Sequence, residues 1–346
     1  MKYYYDKNDS SLSLSDLEFP SPRQGVALGA VVEERRRKPV VLRSRDEGSG
    51  WDLVPIPEPG ISLFFLHEAA GWMVSRNGRL FKTTEAGRSW APAKIDGVRA
   101  APLRIFFQDE ARGWLLCARK QVYSTVDGGR SWQLLAISRR PELPEERSPY
   151  TWAAFSPEGV VLLTGWSRPA GPPERFPVWM EPERAPLGMR PTTGIVLHTA
   201  AGGKDWNFTL LRDQGEIIRV RISPAGSALA LIHRPDSLTA PSGIYTLNPA
   251  TLQLKPVYQN SHRWVTDIAF LGPQRALAVA IDQEGRTPFP AIPGRLIVLQ
   301  SSDLIRWTEM PVDYRAEARR AVLSTPGPTQ AWVATDTGMI LQLVPE

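Results

Sequence analysis

ISLFFLHEAAGWMVSRNGRLFKTTEAGRSW (residues 61–90) aligns without a gap on LRIFFQDEARGWLLCARKQVYSTVDGGRSW (residues 103–132), at an offset of 42 residues. The pairs Phe64/Phe106, Phe65/Phe107, Glu68/Glu110, Gly71/Gly113, Trp72/Trp114, Thr83/Thr125, Gly87/Gly129 and Trp90/Trp132 are identical. Repeats at periods of roughly 20–50 residues mark arrays and propellers. Within a unit, four apolar runs (Leu103 to Phe107, Trp114 to Ala118, Gln121 to Thr125 and Ser131 to Ile137) are separated by Gly, Asn, Asp and charged residues. That is the pattern of a four-stranded antiparallel meander. One meander cannot bury both its faces, so copies must stack, and radial stacking of such sheets gives a β-propeller.

The same landmarks, followed along the 346 residues, place seven blades at about 12–57, 60–96, 102–138, 150–212, 214–259, 263–313 and 317–346, in one propeller domain spanning 1–346. The expected class is all-β, a seven-bladed propeller of four-stranded antiparallel blades. The last unit stops after its third strand. The segment Lys2-Tyr3-Tyr4-Tyr5 (2–5) is expected to supply the missing outer strand and to close the ring, removing an exposed sheet edge. Blades four to six hold Pro-rich insertions at 167–193, 233–242 and 282–294.

Composition narrows the function classes. A hydrophobic content of 42% supports a sizeable core, and no run approaches the ~18 apolar residues of a membrane helix. The single cysteine, Cys117, excludes an internal disulfide framework, and His67, His198, His233 and His262 lack ligand spacing. No catalytic residue, metal or cofactor is expected. The start carries no apolar signal region, which implies a cytoplasmic protein if that start is native and a periplasmic or lumenal one if an export signal has been removed. The net charge is +5, and only eight of the 41 basic residues are lysine. Arginine favours planar contacts with carboxylates and phosphates.

The clearest local motif is Thr125-Val-Asp127-Gly-Gly129-Arg-Ser131-Trp132, which resembles the Asp-box of bacterial neuraminidase repeats, S/T-x-D-x-G-x-S/T-W. Asp127 can accept hydrogen bonds from turn N–H groups, Gly129 permits positive φ and Trp132 pins the turn by packing. Related turns contain Asp46 and Trp51, Glu85 and Trp90, Trp206, and Asp303 and Trp307. All are read as structural. In an up-and-down blade these turns share one rim, and the second-to-third-strand hairpins lie on the opposite rim with the insertions. That opposite rim is basic: Arg35, Arg36, Arg37 and Lys38 in blade one, Arg76 and Arg79 in blade two, Arg119 in blade three, then Arg175, Arg234 and Arg286. Phe176 and Trp179 sit among the charges, a composition typical of protein interfaces.

The repeat phrase from Gly71 to Trp90 resembles that of the photosystem II stability and assembly factors, seven-bladed neuraminidase-repeat propellers. The resemblance implies a non-enzymatic scaffold that holds a protein partner, possible subunits of a membrane complex included, on an arginine-rich face. Arg35 to Arg37, Arg76, Arg79 and Arg119 are the positions that would do so. The Pro-rich insertions depart from the compact family pattern. Sialidases, which also carry Asp-boxes, give the alternative of a glycoside hydrolase or carbohydrate-binding propeller, yet the Arg-Ile-Pro segment is missing: Arg104-Ile105 is followed by Phe106. Scarce lysines and interleaved acids argue against specific nucleic-acid binding.

Overall fold

A strand covered on both faces can be apolar at every position, and the second strands of the blades show this. Gly71–Ser75 and Gly113–Cys117 are buried throughout. The fourth strands are the reverse. Ala91–Pro92 and Gln133–Leu134 are two residues long and exposed, edges too short to template pairing with another chain.

The computed structural model describes residues 10–34, 36–168, 192–200, 203–235, 237, 239–283, 294–312 and 317–344. Among these, seven antiparallel sheets form, each a meander in sequence order; six have four strands and the seventh has three. The first strands are Ser10–Glu18, Gly60–Phe65, Pro102–Phe107, Tyr150–Phe155, Glu216–Ile222, Arg263–Phe270 and Ala321–Gly327. Each touches the next, and the last touches the first. The result is a seven-bladed β-propeller around an axial channel. Residues 2–5, the expected outer strand of blade seven, lie outside the described residues, as do 169–191 and 284–293 of the insertions.

Three of the seams between blades are aromatic. Trp72 stacks on Phe107 of the next blade (ring centroids 4.3 Å apart, 21° between planes), and Trp114 stacks on Phe155 (5.2 Å, 29°). Trp332, in the second strand of blade seven (Gln330–Thr335), stacks on Phe19 of blade one in the same manner (4.6 Å, 8°). Ring closure thus repeats the seam that joins blades two to three and three to four, reinforced where Phe19 N donates to Ser324 Oγ at 2.8 Å. The turn tryptophans meet the same phenylalanines edge-on: Trp51 against Phe19 (5.9 Å, 83°) and Trp132 against Phe107 (6.2 Å, 68°). Offset and edge-on pairs of this kind add ~0.5–1.5 kcal/mol each beyond buried area. The Gly of each Gly-Trp pair leaves room for the ring beside it. A Cβ at Gly71 would lie 2.5 Å from Phe65, and one at Gly113 would lie 2.6 Å from Phe107.

Phe19→Ala removes the stack on Trp332 and the edge contact with Trp51 together. We expect a loss of ~3–5 kcal/mol in urea unfolding. Phe208→Ala, on the outer strand Asn207–Leu211 where the ring is partly exposed, should cost less than ~1 kcal/mol.

Candidate functional site

The rim opposite the Asp-box turns carries the second-to-third-strand hairpins and the links between blades. Arg36, Arg37 and Lys38 open the third strand of blade one (Arg36–Ser44), are all exposed, and face Glu33, Val32 and Val31 across the hairpin. Lys38 Nζ pairs with Glu33 at 2.5 Å. In blade two, Arg76 and Arg79 flank Gly78, whose φ of 73° makes the tight turn. Arg79 pairs with Glu58, from the link between blades one and two. Arg119, at φ 58°, pairs with Glu146 of the next link at 2.8 Å. Arg168 likewise pairs with Glu216. Arg234 lies over the Tyr245 ring and donates Nε to the Gln214 carbonyl at 3.0 Å.

The geometry therefore sorts the basic rim into two kinds of cation. Arg79 and Arg119 are neutralised by carboxylates arriving on the chain between blades, and Arg168 by Glu216, which opens the first strand of blade five. Arg36, Arg37 and Arg76 make no ion pair among the described residues. Lys120, next to Arg119, is not a surface charge: it is buried, and Nζ donates to the carbonyls of Pro141 and Leu143, the latter at 3.1 Å. Burial lowers its pKa. Arg35, Arg175, Phe176, Trp179 and Arg286 lie outside the described residues.

On the other rim, the turns are organised by a hydroxyl and a carboxylate. Thr125 Oγ1 accepts from Gly129 N at 2.9 Å and donates to Asp127 Oδ1 at 2.7 Å. Asp127 Oδ1 accepts from Arg130 N and Ser131 N at 2.9 and 3.0 Å, and Oδ2 accepts from Ser131 Oγ at 2.6 Å. These bonds hold the Asp127 carboxyl well below the usual range. Ser44 with Asp46 and Ser301 with Asp303 repeat the arrangement, and Ser89 donates to Glu85 at 2.7 Å in blade two. Trp51 Nε1 and Trp206 Nε1 donate back to Gly48 and Gly203 carbonyls, whereas Trp90 and Trp307 leave Nε1 without a partner.

A third feature, absent from the sequence reading, lies inside the ring. Six of the seven first strands carry an extra residue at the same height: Ser15, Ile61, Leu103, Thr151, Ile218 and Thr266. A β-bulge of this kind bends the strand and re-aims the next side chain. Where the extra residue has a hydroxyl, it donates to a carbonyl of the following blade: Ser15 to Gly60 at 3.4 Å, Thr151 to Ile217 at 3.1 Å and Thr266 to Ala321 at 2.8 Å. The residues just after the bulges are Asp16, Ser62, Arg104, Trp152, Arg219 and Asp267. Asp16 accepts from Leu63 N and Asp267 from Leu323 N, both at 2.9 Å and both across a blade boundary. Asp267 also takes Arg219 at 2.5 Å, and Asp16 lies 3.7 Å from Arg104.

The indole of Trp152 is the hub of this cluster, with the guanidinium carbons of Arg219, Arg104 and Arg221 at 3.9, 4.8 and 4.8 Å from its ring centre. Burial pulls Arg104 down to about 10 and lowers Arg221. Two residues beyond Asp16, Glu18 is pushed up to about 7, first by burial and then by Asp16. Glu18 and Arg221 line a cavity of about 190 Å³ with Phe64, Phe106, Trp152 and Ala154, at the end of the channel nearer the Asp-box turns.

The fold and its two charged regions define a propeller with a cationic outer rim and an ionised channel. No family model and no curated protein matches the chain. Solved structures do. It resembles YCF48 bound to a D1 peptide (TM-score 0.62, 15% identity, covering 99% of this chain and 97% of that one) and YCF48 from Cyanidioschyzon merolae (0.63, 15%, 97% and 96%). It also resembles virginiamycin B lyase from Staphylococcus aureus (0.60, 10%, 98% and 96%). At these identities the likeness is one of fold.

Asp267→Ala leaves Arg219 buried without its carboxylate and removes an acceptor from Leu323 N. The expected loss is ~3–5 kcal/mol, read from the urea midpoint. A second expectation concerns pH. The folded state holds a proton on Glu18 up to about 7, while the unfolded chain releases it near 4.5. Stability contributed by this group is complete below 4.5 and is lost as pH rises through about 7. Glu18→Gln should flatten that part of the profile of urea midpoint against pH.

Proposed function

We propose that this chain is a non-enzymatic protein-binding propeller of the assembly-factor kind, which holds an acidic segment of a protein partner against the hairpins of blades one and two. The observation that carries this reading is the unneutralised charge of Arg36, Arg37 and Arg76 on two adjacent, exposed hairpins, where the neighbouring arginines are already paired. Exposed guanidinium groups without carboxylates are free to make bidentate contacts with a partner's. Arg35 extends the same hairpin in sequence, Arg234 follows the second strand of blade five, and Arg175, Phe176, Trp179 and Arg286 fall within the sequence of the insertions of blades four and six. Lys38, Arg79 and Arg119 border this surface with their charges already met by Glu33, Glu58 and Glu146.

The likeness to a propeller solved with a bound peptide supports peptide capture as the mode. Within this reading the partner is a subunit of a larger assembly, a membrane complex among the candidates, and the chain's Asp-box turns are neuraminidase-type repeats that brace the scaffold. No helix among the described residues is long and apolar enough to cross a membrane. The same fold also hosts a lyase among its structural neighbours, so the proposal rests on the charge arrangement and not on the fold.

The test compares wild type with Arg36→Glu/Arg37→Glu/Arg76→Glu in pull-downs from the native source, quantified by mass spectrometry at two salt concentrations. The expected result is a defined set of partners whose recovery falls at least tenfold in the variant and falls for wild type at raised salt, because exposed charge contacts are screened. An unchanged thermal midpoint would show the variant is folded. Undiminished recovery by a folded variant removes these hairpins from the binding surface.

A further inference from the structure

The cavity at the Asp-box end of the channel is lined by two ionisable groups, Glu18 and Arg221, that make no ion pair among the described residues. Arg104 and Arg219, deeper in the channel, have Asp16 and Asp267 beside them. Glu18 and Arg221 have no such partners. Arg221 Nε donates to the Ile268 carbonyl at 3.3 Å, and its guanidinium makes no ion pair among the described residues. Glu18 makes neither a hydrogen bond nor an ion pair with any described residue, and the two side chains do not reach each other. Glu18 keeps some accessible surface while being enclosed by protein, because that surface faces the cavity.

At the height of Glu18 and Arg221, blades two and three present Phe64 and Phe106, whereas blades four and six present Ala154 and Ala269; of these, Phe64, Phe106 and Ala154 line the cavity. The walls are largely aromatic, and one carboxylate and one guanidinium line the same space. A volume of about 190 Å³ corresponds to about six waters at ~30 Å³ each. It falls below the ~300–1,000 Å³ of pockets for drug-sized ligands, which leaves out nucleotides and oligosaccharides. Burying an unpaired carboxylate and an unpaired guanidinium is costly, and a molecule with a cationic and an anionic end relieves both costs at once.

We propose that this cavity binds a small zwitterion of the free α-amino acid class, with its ammonium on Glu18, its carboxylate on Arg221 and its side chain against Phe64, Phe106 and Trp152. The site is on the face opposite the cationic hairpins, so it stands independently of the protein-capture reading.

The experiment is isothermal titration calorimetry of the full chain against each free L-amino acid, and against the N-acetyl and carboxamide derivatives of any that bind. At least one amino acid should bind with a Kd below ~1 mM, and blocking either its ammonium or its carboxylate should weaken binding tenfold or more. Glu18→Gln and Arg221→Gln should have the same effect, and affinity should rise with pH through about 7 as Glu18 ionises. Should Arg221→Gln fail to fold, the ligand derivatives carry the test with the unaltered protein. The proposal is overturned if no amino acid binds at 1 mM on this scale, if either derivative binds as well as its parent, or if folded Glu18→Gln binds as well as wild type.

Discussion

The stacking of a second-strand tryptophan on the phenylalanine at the end of the next blade's first strand is the contact on which closure of the ring depends, and it also joins blade two to three and three to four. A four-stranded sheet with apolar side chains on both faces has no stable existence alone, and this seam is where its second face is covered. Trp72 on Phe107 and Trp332 on Phe19 show the same geometry, although the first joins neighbours in sequence and the second joins the two ends of the described chain. The turn tryptophans are part of the same arrangement. By meeting Phe19 and Phe107 edge-on, Trp51 and Trp132 tie the outermost hairpin of a blade to the seam at its centre.

The inner ring obeys a different constraint. Seven strands converge on the axis with their backbone edges facing one another, and some of those N–H groups would be left without acceptors. The bulges solve this by turning a carboxylate or hydroxyl toward the following blade, where Asp16, Asp267 and Thr266 accept from Leu63 N, Leu323 N and Ala321 N. Once carboxylates are there, arginines follow to neutralise them, and Trp152 gives the arginines a flat surface on which to lie. The outer rim uses the same pairing nearer to solvent, with Glu58 and Glu146 arriving from the links and Glu216 from the start of blade five's first strand. The contrast between satisfied and unsatisfied charges, in the channel and on the rim alike, separates residues that hold the scaffold from residues free to meet a ligand.

The repeat was legible in the sequence because its determinants are local. Gly71, Trp72, Thr83, Gly87 and Trp90 lie within twenty residues of one another, and their copies recur 42 residues on. The basic rim was legible for the same reason, since a hairpin's position in its blade decides its face. What could not be read was which of those arginines are free: the partner of Arg79 comes from Glu58, in the preceding link, and that of Arg168 comes from Glu216, 48 residues away. The channel cluster was invisible for a further reason. A bulge breaks the alternation by which a strand's buried side is recognised, so Asp16 in LSLSDLEF and Arg219 in EIIRVRI read as ordinary solvent-facing positions. The one available signal was their repetition, a polar or aromatic residue three places before the end of successive apolar runs.

Because the contact between blades seven and one is no different in kind from the contact between blades two and three, the ring has no privileged starting point. The break in the polypeptide falls at that seam by connectivity alone. A circular permutant, opened in the short link around residues 56–59 and joined across the present gap, would present the same seven interfaces to one another. Fold, channel and rim would then survive while the order of the blades along the chain changed.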